Sequence, residues 1–389
     1  MAGIYLHIPF CRQKCAYCNF FSSASHKLKE PFISALMSEL SQNHDYLSGE
    51  TVSTIYFGGG TPSILSAGEI RSVLEAVRTT FPVAGDAEIT LEANPDDFSG
   101  DYISSLVSIG INRLSIGIQS FHDEDLQLLG RSHRAEQGKN VIRQIQGKPG
   151  HPGMQKPGLS IDLIYGIPGL TDSRWEQNLE TAVRFGIPHI SAYALTVEEK
   201  TPLHRLVSTG KFPPVSGEQA ARQYLLMVEL LKKAGYEHYE VSNFCRPGHH
   251  SRHNSAYWQG IPYLGAGPSA HSYNGISRRW NMNSISEYVN AINEEKAGYE
   301  EEVLTPVQKY NEYVMTGLRT MWGCDEGKIL HRFGTACHDH FMKCAARYVT
   351  AGRMWQGTGT YGLTDEGMLF ADGIASDFFL DPDSSITLL

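Results

Sequence analysis

The sequence predicts an α/β protein built from repeated strand–helix units and followed by a smaller domain. Six short runs rich in β-branched and aromatic residues alternate with segments of helical periodicity. The predicted strands are residues 4–8, 54–57, 88–92, 113–118, 160–164 and 189–194. Repeated units of this kind favour a parallel sheet with right-handed crossovers. Six units fit an incomplete (β/α)6 barrel or a doubly wound sheet, and the periodicity does not distinguish the two.

Two of the connecting helices have starts that can be predicted from the sequence. Ser66 and Glu69 form a capping box in front of apolar residues at helical spacing, between the second and third predicted strands. Thr171 or Asp172 can cap the helix that carries Trp175, between the fifth and sixth strands. Both helices therefore lie where the repeated units require a crossover.

The last third of the chain has a different pattern, and we predict three regions in all. Residues 1–245 form the strand–helix domain. Residues 246–304 form an irregular junction, because glycines and prolines between 260 and 268 interrupt regular structure. Residues 305–389 form a small helical, winged-helix-like domain, with a Gly-rich turn at 357–362 before its last helix. Cys337 and Cys344, seven apart in a predicted helix, are expected in its core.

Composition and charge exclude several classes of function. The 389-residue chain is 41% hydrophobic, which is enough to bury a large core and a smaller one. Its net charge is −9 and it has no basic run, so nucleic acid is a poor candidate partner. It has no apolar stretch of about 18 residues and no apolar leader, so we expect a cytoplasmic protein with no transmembrane segment. Disulfides are not expected there.

The most informative motif is a group of three cysteines near the start of the chain. Cys11, Cys15 and Cys18 have the spacing C-x3-C-x2-C. Three thiolates on a short loop can hold three irons of a [4Fe–4S] cube and leave the fourth iron for another ligand. Structural zinc is the alternative, but it requires four protein ligands. The next candidate ligand, His26, lies at a spacing that matches no common zinc finger.

With Tyr17 inside it, this motif resembles the signature of the radical S-adenosylmethionine (SAM) superfamily. The resemblance implies a partial, TIM-like (β/α)6 barrel that binds a [4Fe–4S] cluster and SAM. In that superfamily the amino and carboxylate groups of SAM chelate the unique iron, and the reduced cluster cleaves SAM to a 5′-deoxyadenosyl radical. An electron donor is implied as a partner.

Polar residues at the ends of the predicted strands resemble, in order, the SAM positions of the HemN-like (coproporphyrinogen dehydrogenase) branch. The glycine run before Thr61 is similar to the motif that meets the SAM amino group. By the same resemblance, Arg131 pairs with the SAM carboxylate and Glu92 lies on the amino or ribose side. The expected SAM-binding residues are Tyr5, Gly59, Gly60, Thr61, Glu92, Gln119, Arg131 and Asp162.

Two departures from the dehydrogenases resemble the HemW-type haem chaperones of the same family. The dehydrogenases carry a further cysteine two residues after the third ligand, where this chain has Phe20. Residues 253–258 match the H-N-x-x-Y-W motif of the chaperones, which implies haem ligation by His253. A neutral imidazole is a good axial ligand for haem iron. Other potential ligands in this part of the chain are Cys245, His249, His250 and His271.

The resemblance covers nearly the whole chain and implies a haem chaperone that binds the cluster, SAM and haem. It would deliver haem to haem-requiring, for example respiratory, proteins, and we predict no catalytic residue. The alternative is an oxygen-independent coproporphyrinogen III dehydrogenase, and a zinc-stabilised binding module is the third candidate. The C-terminal domain would cover the barrel. A homodimer and peripheral membrane association are compatible with this assignment.

Overall fold

A computed structural model describes residues 1–147, 156–199 and 201–381, and six parallel strands form its centre. Each strand pairs in parallel with the next along the chain, as the strand–helix units predict. The first and last strands do not pair with each other, so the parallel sheet is open. The six strands are β1 (Ala2–Ile8), β2 (Val52–Gly59), β3 (Val83–Ala93), β4 (Arg113–Gln119), β5 (Gly158–Tyr165) and β6 (His189–Ala194).

Two of the helices that connect these strands begin at the caps predicted for them. Ser66 and Glu69 form the capping box, and Thr171 is the cap that accepts the Arg174 amide. No helix among the described residues is long and apolar enough to cross a membrane. The helices are α1 (Lys29–Gln42), α2 (Ala67–Thr80), α3 (Tyr102–Ser108), α4 (Asp123–Leu128), α5 (Ala135–Gly147), α6 (Asp172–Arg184), α7 (Pro202–Ser208) and α8 (Gly217–Lys233).

The central sheet is extended at both edges by antiparallel strands. A hairpin of β7 (Glu237–Glu240) and β8 (Asn243–Cys245) pairs with β6. On the other side, β9 pairs in parallel with β1, and three further strands follow it, so the described part of the chain has twelve strands in one sheet. The elements on that side are α9 (Arg252–Trp258), β9 (Tyr263–Ala266), β10 (His271–Tyr273), β11 (Ser277–Asn281), α10 (Ile285–Asn293) and β12 (Tyr299–Val303).

The prediction that residues 246–304 are irregular was therefore wrong in its secondary structure. Gly265 serves close packing between strands and does not break β9. A Cβ atom on Gly265 of β9 would lie 2.0 Å from the backbone oxygen of His271 in β10. Only glycine allows that approach. The division of the chain into three regions stays a prediction.

The C-terminal region forms a separate three-stranded sheet packed with helices. Cys337 and Cys344 are buried in its long helix. Backbone hydrogen bonds from Val241 to Arg319 and from Met321 to Tyr239 attach this region to β7. Its elements are α11 (Pro306–Leu318), β13 (Cys324–Asp325), α12 (Glu326–Thr350), β14 (Met354–Gln356), β15 (Thr360–Leu363), α13 (Asp365–Met368) and α14 (Ala371–Ser376).

A buried carboxylate joins α1 to the extension of the sheet. Glu39 is 3% exposed and accepts hydrogen bonds from Tyr288 Oη (2.5 Å), Asn281 Nδ2 (2.6 Å) and the Gly267 amide (2.7 Å). Burial raises the pKa of this carboxyl group. The three donors offset part of the cost of burying it. Glu39 thereby fixes the position of the segment that follows β9.

Candidate functional site

The three cysteines of the motif lie on the loop that follows β1. The loop is attached at its base by hydrogen bonds from the Cys11 amide to Ser23 O (3.0 Å) and from the Ser23 amide to Pro9 O (2.7 Å). Cys11 is buried, Cys15 and Cys18 are half-buried, and all three are free thiols. Burial raises the pKa of Cys18, and the neighbouring Cys11 and Cys15 raise it further. The three sulfurs are therefore close enough to interact, as ligands of one cluster must be.

A chain of hydrogen bonds connects two of these sulfurs through the barrel. Thr61 Oγ1 donates to Cys11 Sγ (3.4 Å) and accepts from Asn94 Nδ2 (3.2 Å). Arg131 donates to Asn94 Oδ1 (2.5 Å) and to Cys15 Sγ (3.5 Å). The network places Thr61 and Arg131 beside the cysteine loop. Asn94 was not among the predicted site residues, although it directly follows β3, where polar groups of such sheets collect.

The glycine run after β2 packs against the end of β1. Gly59 has φ +103°, and a Cβ atom there would lie 2.5 Å from the His7 ring. A Cβ atom on Gly60 would lie 2.7 Å from Phe10 O. The Gly59 amide donates to Glu92 Oε2 (3.2 Å). These glycines are thus required by the fold itself, and their contact with SAM stays a prediction.

Two half-buried carboxylates, Glu92 and Asp162, lie together at the small polar cavity inside the barrel. Glu92 accepts from Tyr56 Oη (2.7 Å), and Ser115 Oγ lies 3.5 Å from Asp162 Oδ1. Burial raises the pKa of Glu92 to about 7, with a further contribution from Asp162. Burial also raises the pKa of Asp162 to about 6. Both residues line a polar cavity of about 40 Å³, which has room for one or two water molecules.

Gln119 ends β4 in an unusual backbone conformation. Its φ is +65°, which places a non-glycine residue in the left-handed region. This conformation costs on the order of 1–2 kcal/mol and is concentrated at functional sites. The Gly117 carbonyl next to it accepts a hydrogen bond from Arg131 (3.0 Å). The strand end is therefore shaped so that Gln119 and Arg131 both lie at the barrel mouth.

Tyr5 and His7 connect β1 to the cysteine loop. They alternate along the strand and so lie on the same side of it. Tyr5 Oη lies 3.1 Å from His7 Nδ1, and His7 Nε2 lies 2.9 Å from Phe21 O. Burial lowers the pKa of His7, which keeps the ring neutral. Sequence reasoning selected Tyr5 and missed His7, although the period-two pattern of the strand places both on one face.

His253 lies on α9, directly behind the barrel strands, and is 2% exposed. Its Nδ1 is 2.8 Å from Thr54 Oγ1, and its Nε2 is 2.8 Å from Tyr257 Oη. Its ring stacks on Tyr56 with centroids 4.9 Å apart. Burial lowers the pKa of His253 to about 3. Ligation of haem by His253 stays a prediction, and it would require one of the two hydrogen bonds to break.

A large cavity of about 1080 Å³ lies between the cysteine loop, α9, the sheet extension and the C-terminal region. Its walls are rich in aromatic rings, and Phe20, 62% exposed, is one of them. The aromatic end of the H-N-x-x-Y-W motif faces it, whereas His253 does not line it. The other aromatic residues of its lining are Tyr5, Phe21, Tyr257, Trp258, Tyr263, Tyr273, Tyr313 and Trp322.

The other potential haem ligands divide into two groups. His271 lines the large cavity. Cys245 and His250 do not; with Glu237 they form a cluster whose potential ligand atoms lie within 4.8 Å of one another, next to β7 and β8. His249 does not line the large cavity either.

Comparison with known proteins agrees with this geometry. A sequence model of the radical SAM superfamily matches residues 5–182. The chain is 30% identical over 382 residues to the haem chaperone HemW of Bacillus subtilis (strain 168), covering 97% of this chain and 99% of that protein. It is 37% identical over 294 residues to the HemW of Mycobacterium tuberculosis (strain ATCC 25618 / H37Rv), covering 75% and 74%.

Among solved structures, coproporphyrinogen III oxidase (HemN) from Escherichia coli, described as a radical SAM enzyme, is similar along almost the whole chain. The TM-score is 0.83 at 23% identity, covering 97% of this chain and 90% of that one. At this identity the likeness shows a shared fold. It confirms the predicted fold class, including the helical C-terminal region.

Proposed function

The chain belongs to the HemW family of radical SAM proteins, and on that premise we propose that it is a haem chaperone. It binds a [4Fe–4S] cluster, SAM and haem, and delivers haem to haem-requiring, for example respiratory, proteins. The observation that carries this proposal is the aromatic cavity of about 1080 Å³ beside the cysteine loop, whose wall includes Phe20. A flat, largely apolar macrocycle needs a pocket of this size with aromatic walls.

Cys11, Cys15 and Cys18 would hold the cluster. The donor set fits, because three free thiols interact on one loop and two of them already accept hydrogen bonds from the protein. When bound, the cluster supplies one-electron chemistry. The residues of this chain contribute charge balance: the Thr61 hydroxyl and the Arg131 guanidinium donate to the sulfurs and stabilise them as thiolates. Hydrogen bonds of this kind also adjust the reduction potential.

The residues around the barrel mouth would bind SAM. Glu92 and Asp162 are half-buried carboxylates with few protein donors, and their partial removal from water is costly unless a ligand supplies more. An ammonium group and ribose hydroxyls are suitable donors. Arg131 would pair with the SAM carboxylate, since it is a half-buried guanidinium beside Cys15. The other proposed SAM contacts are Tyr5, Gly59, Gly60, Thr61 and Gln119.

The alternative function, a coproporphyrinogen III dehydrogenase, is disfavoured by one residue. At the position of Phe20 the dehydrogenases, which otherwise resemble this chain along nearly its whole length, carry a further cysteine. Here an exposed aromatic side chain occupies that position and lines the cavity. It favours binding of a finished macrocycle over chemistry on its precursor.

All seven cysteines are free thiols, which supports a reducing compartment, and we infer the cytoplasm. An electron donor for the cluster and haem-accepting proteins would be its partners there. A homodimer would be detected by light scattering before and after haem loading, and peripheral membrane association by sedimentation with liposomes.

The proposal is tested with full-length protein purified and reconstituted with iron and sulfide under anaerobic conditions. We expect charge-transfer absorption of a four-iron cluster that is lost in the Cys11/Cys15/Cys18→Ala variant and kept in Cys245→Ala, a buried cysteine far from the motif in sequence. Haem loaded on the protein should transfer to an apo-haem acceptor. Conversion of coproporphyrinogen in the presence of SAM and a reductant would instead establish the dehydrogenase.

A further inference from the structure

Three imidazoles lie in or against the large cavity, and they differ in how their nitrogens are used. Both nitrogens of His253 and both nitrogens of His7 are engaged within the protein. Neither nitrogen of His271 forms a hydrogen bond with another described residue. An iron ligand needs a ring nitrogen with an available lone pair. Among the three, His271 meets that requirement without any rearrangement.

The surroundings of His271 fit the same role. It is the first residue of β10, is exposed, and lines the cavity wall. Its ring lies 6.4 Å from that of Trp280, its partner on β11, which limits its orientation. Partial removal of the ring from water and the nearby Arg278 lower the pKa of His271, so the ring is neutral at physiological pH. The neutral imidazole is the form that binds iron.

The lining of the same cavity holds four basic side chains and two carboxylates, Glu312 and Asp325, and so has an excess of positive charge. Arg278 is paired with Glu312 (2.7 Å). Lys309, Lys328 and Arg332 also line the cavity, and none of them forms an ion pair with a described carboxylate. Haem carries two propionates, which these three cations could bind. The cavity therefore offers an iron ligand, aromatic walls and anion partners together.

We propose that His271 is the axial ligand of haem in this cavity and that Lys309, Lys328 and Arg332 bind the propionates. This assignment replaces the expectation that His253 ligates haem, and His253 is then a positioning residue that holds Tyr257 in the cavity wall through its Nε2. This inference rests on the proposed haem-chaperone function and adds the identity of the binding groups.

The test is a titration of ferric haem into the anaerobically purified full-length chain, followed by its Soret band. His271→Ala should weaken binding at least tenfold and abolish the imidazole-ligated spectrum, and added imidazole should restore that spectrum. His271→Cys should produce a thiolate-type spectrum, which a purely structural role would not do. His44→Ala, an exposed histidine outside the cavity lining, is the matched control and should bind like the parent protein.

A second titration uses haem dimethyl ester, which lacks the propionate charges. It should bind the parent protein at least tenfold more weakly than haem, and the Lys309/Lys328/Arg332→Gln variant should lose this discrimination. Equal affinity for haem and its ester in the parent protein would overturn the propionate assignment.

The outcomes separate the two levels of the proposal. A parent protein that saturates with haem while His271→Ala keeps its ligated spectrum would overturn the ligand assignment and leave the chaperone function intact. The ligand assignment would also be overturned if His253→Ala, while still folded, loses the ligated spectrum and His271→Ala keeps it. A parent protein that does not saturate with haem would overturn the chaperone function as well.

Discussion

Replacement of His253 by alanine should destabilise the fold, because this imidazole is an internal connector between α9 and the barrel. The variant leaves the buried Thr54 hydroxyl without a partner, which costs about 1–3 kcal/mol. Loss of the hydrogen bond to Tyr257, which can reach cavity water, costs about 1 kcal/mol. Loss of the stacked contact with Tyr56 costs about 1 kcal/mol more. The free energy of unfolding should fall by about 3–5 kcal/mol in total.

The measurement is the denaturant midpoint followed by tryptophan fluorescence, with the slope of the transition compared between variants. Tyr257→Phe removes one hydrogen bond only and should cost about 1 kcal/mol. The double variant with Thr54→Ala should show a coupling of about 1 kcal/mol with His253→Ala, since the two side chains are in contact. His44→Ala serves as the exposed control. A His253→Ala midpoint indistinguishable from that of the parent would refute the connector role.

Three further predictions concern residues outside this connector. Glu39→Ala should lower the free energy of unfolding by about 3 kcal/mol or more because it leaves three buried donors without an acceptor. Glu39→Gln should lower it less, and denaturant midpoints distinguish the two variants. Gly59→Ala should reduce the cluster content per chain after reconstitution, measured by iron and sulfide analysis, because the added methyl group clashes with His7. Burial raises the pKa of Glu240 from 4.5 to about 7, so the folded protein keeps a proton there that the unfolded chain releases. The protonated Glu240 contributes about 3 kcal/mol to stability; this contribution is present below about pH 4.5 and is lost as the pH rises through about 7. Glu240→Gln should flatten the pH dependence of stability, measured as denaturant midpoints across this range.

Much of the core fold could be predicted from local patterns. Strand β6 has the predicted boundaries, and the capping box at Ser66 starts α2 as expected. Strand β3 begins at Val83, five residues before the predicted start. Those residues were missed because none of the first four is buried and they lack apolar alternation. Strands β9 to β12 were missed, since their pairing is fixed by contacts with β1 and with one another. No local pattern within strands of three to five residues records such contacts.

The candidate site was predictable in its chemistry and less so in its arrangement. The spacing of Cys11, Cys15 and Cys18 defines a local loop, so sequence was sufficient for it. The burial of His253 depends on how a seven-residue helix packs against β1 and β2, which its sequence does not encode. The large cavity arises where the C-terminal region meets the sheet extension. The position of His271 in the cavity wall therefore became visible only in the structure.

The parallel pairing of β1 with β9 has a consequence for biosynthesis. One edge of β1 has no neighbour until residues 263–266 have been translated, because β9 is the strand that covers it. The loop with the three thiols begins at the end of β1, so its anchor is incomplete while two thirds of the polypeptide is being made. Iron delivery to this loop must then follow elongation, and a nascent chain stalled before residue 263 should fail to retain metal.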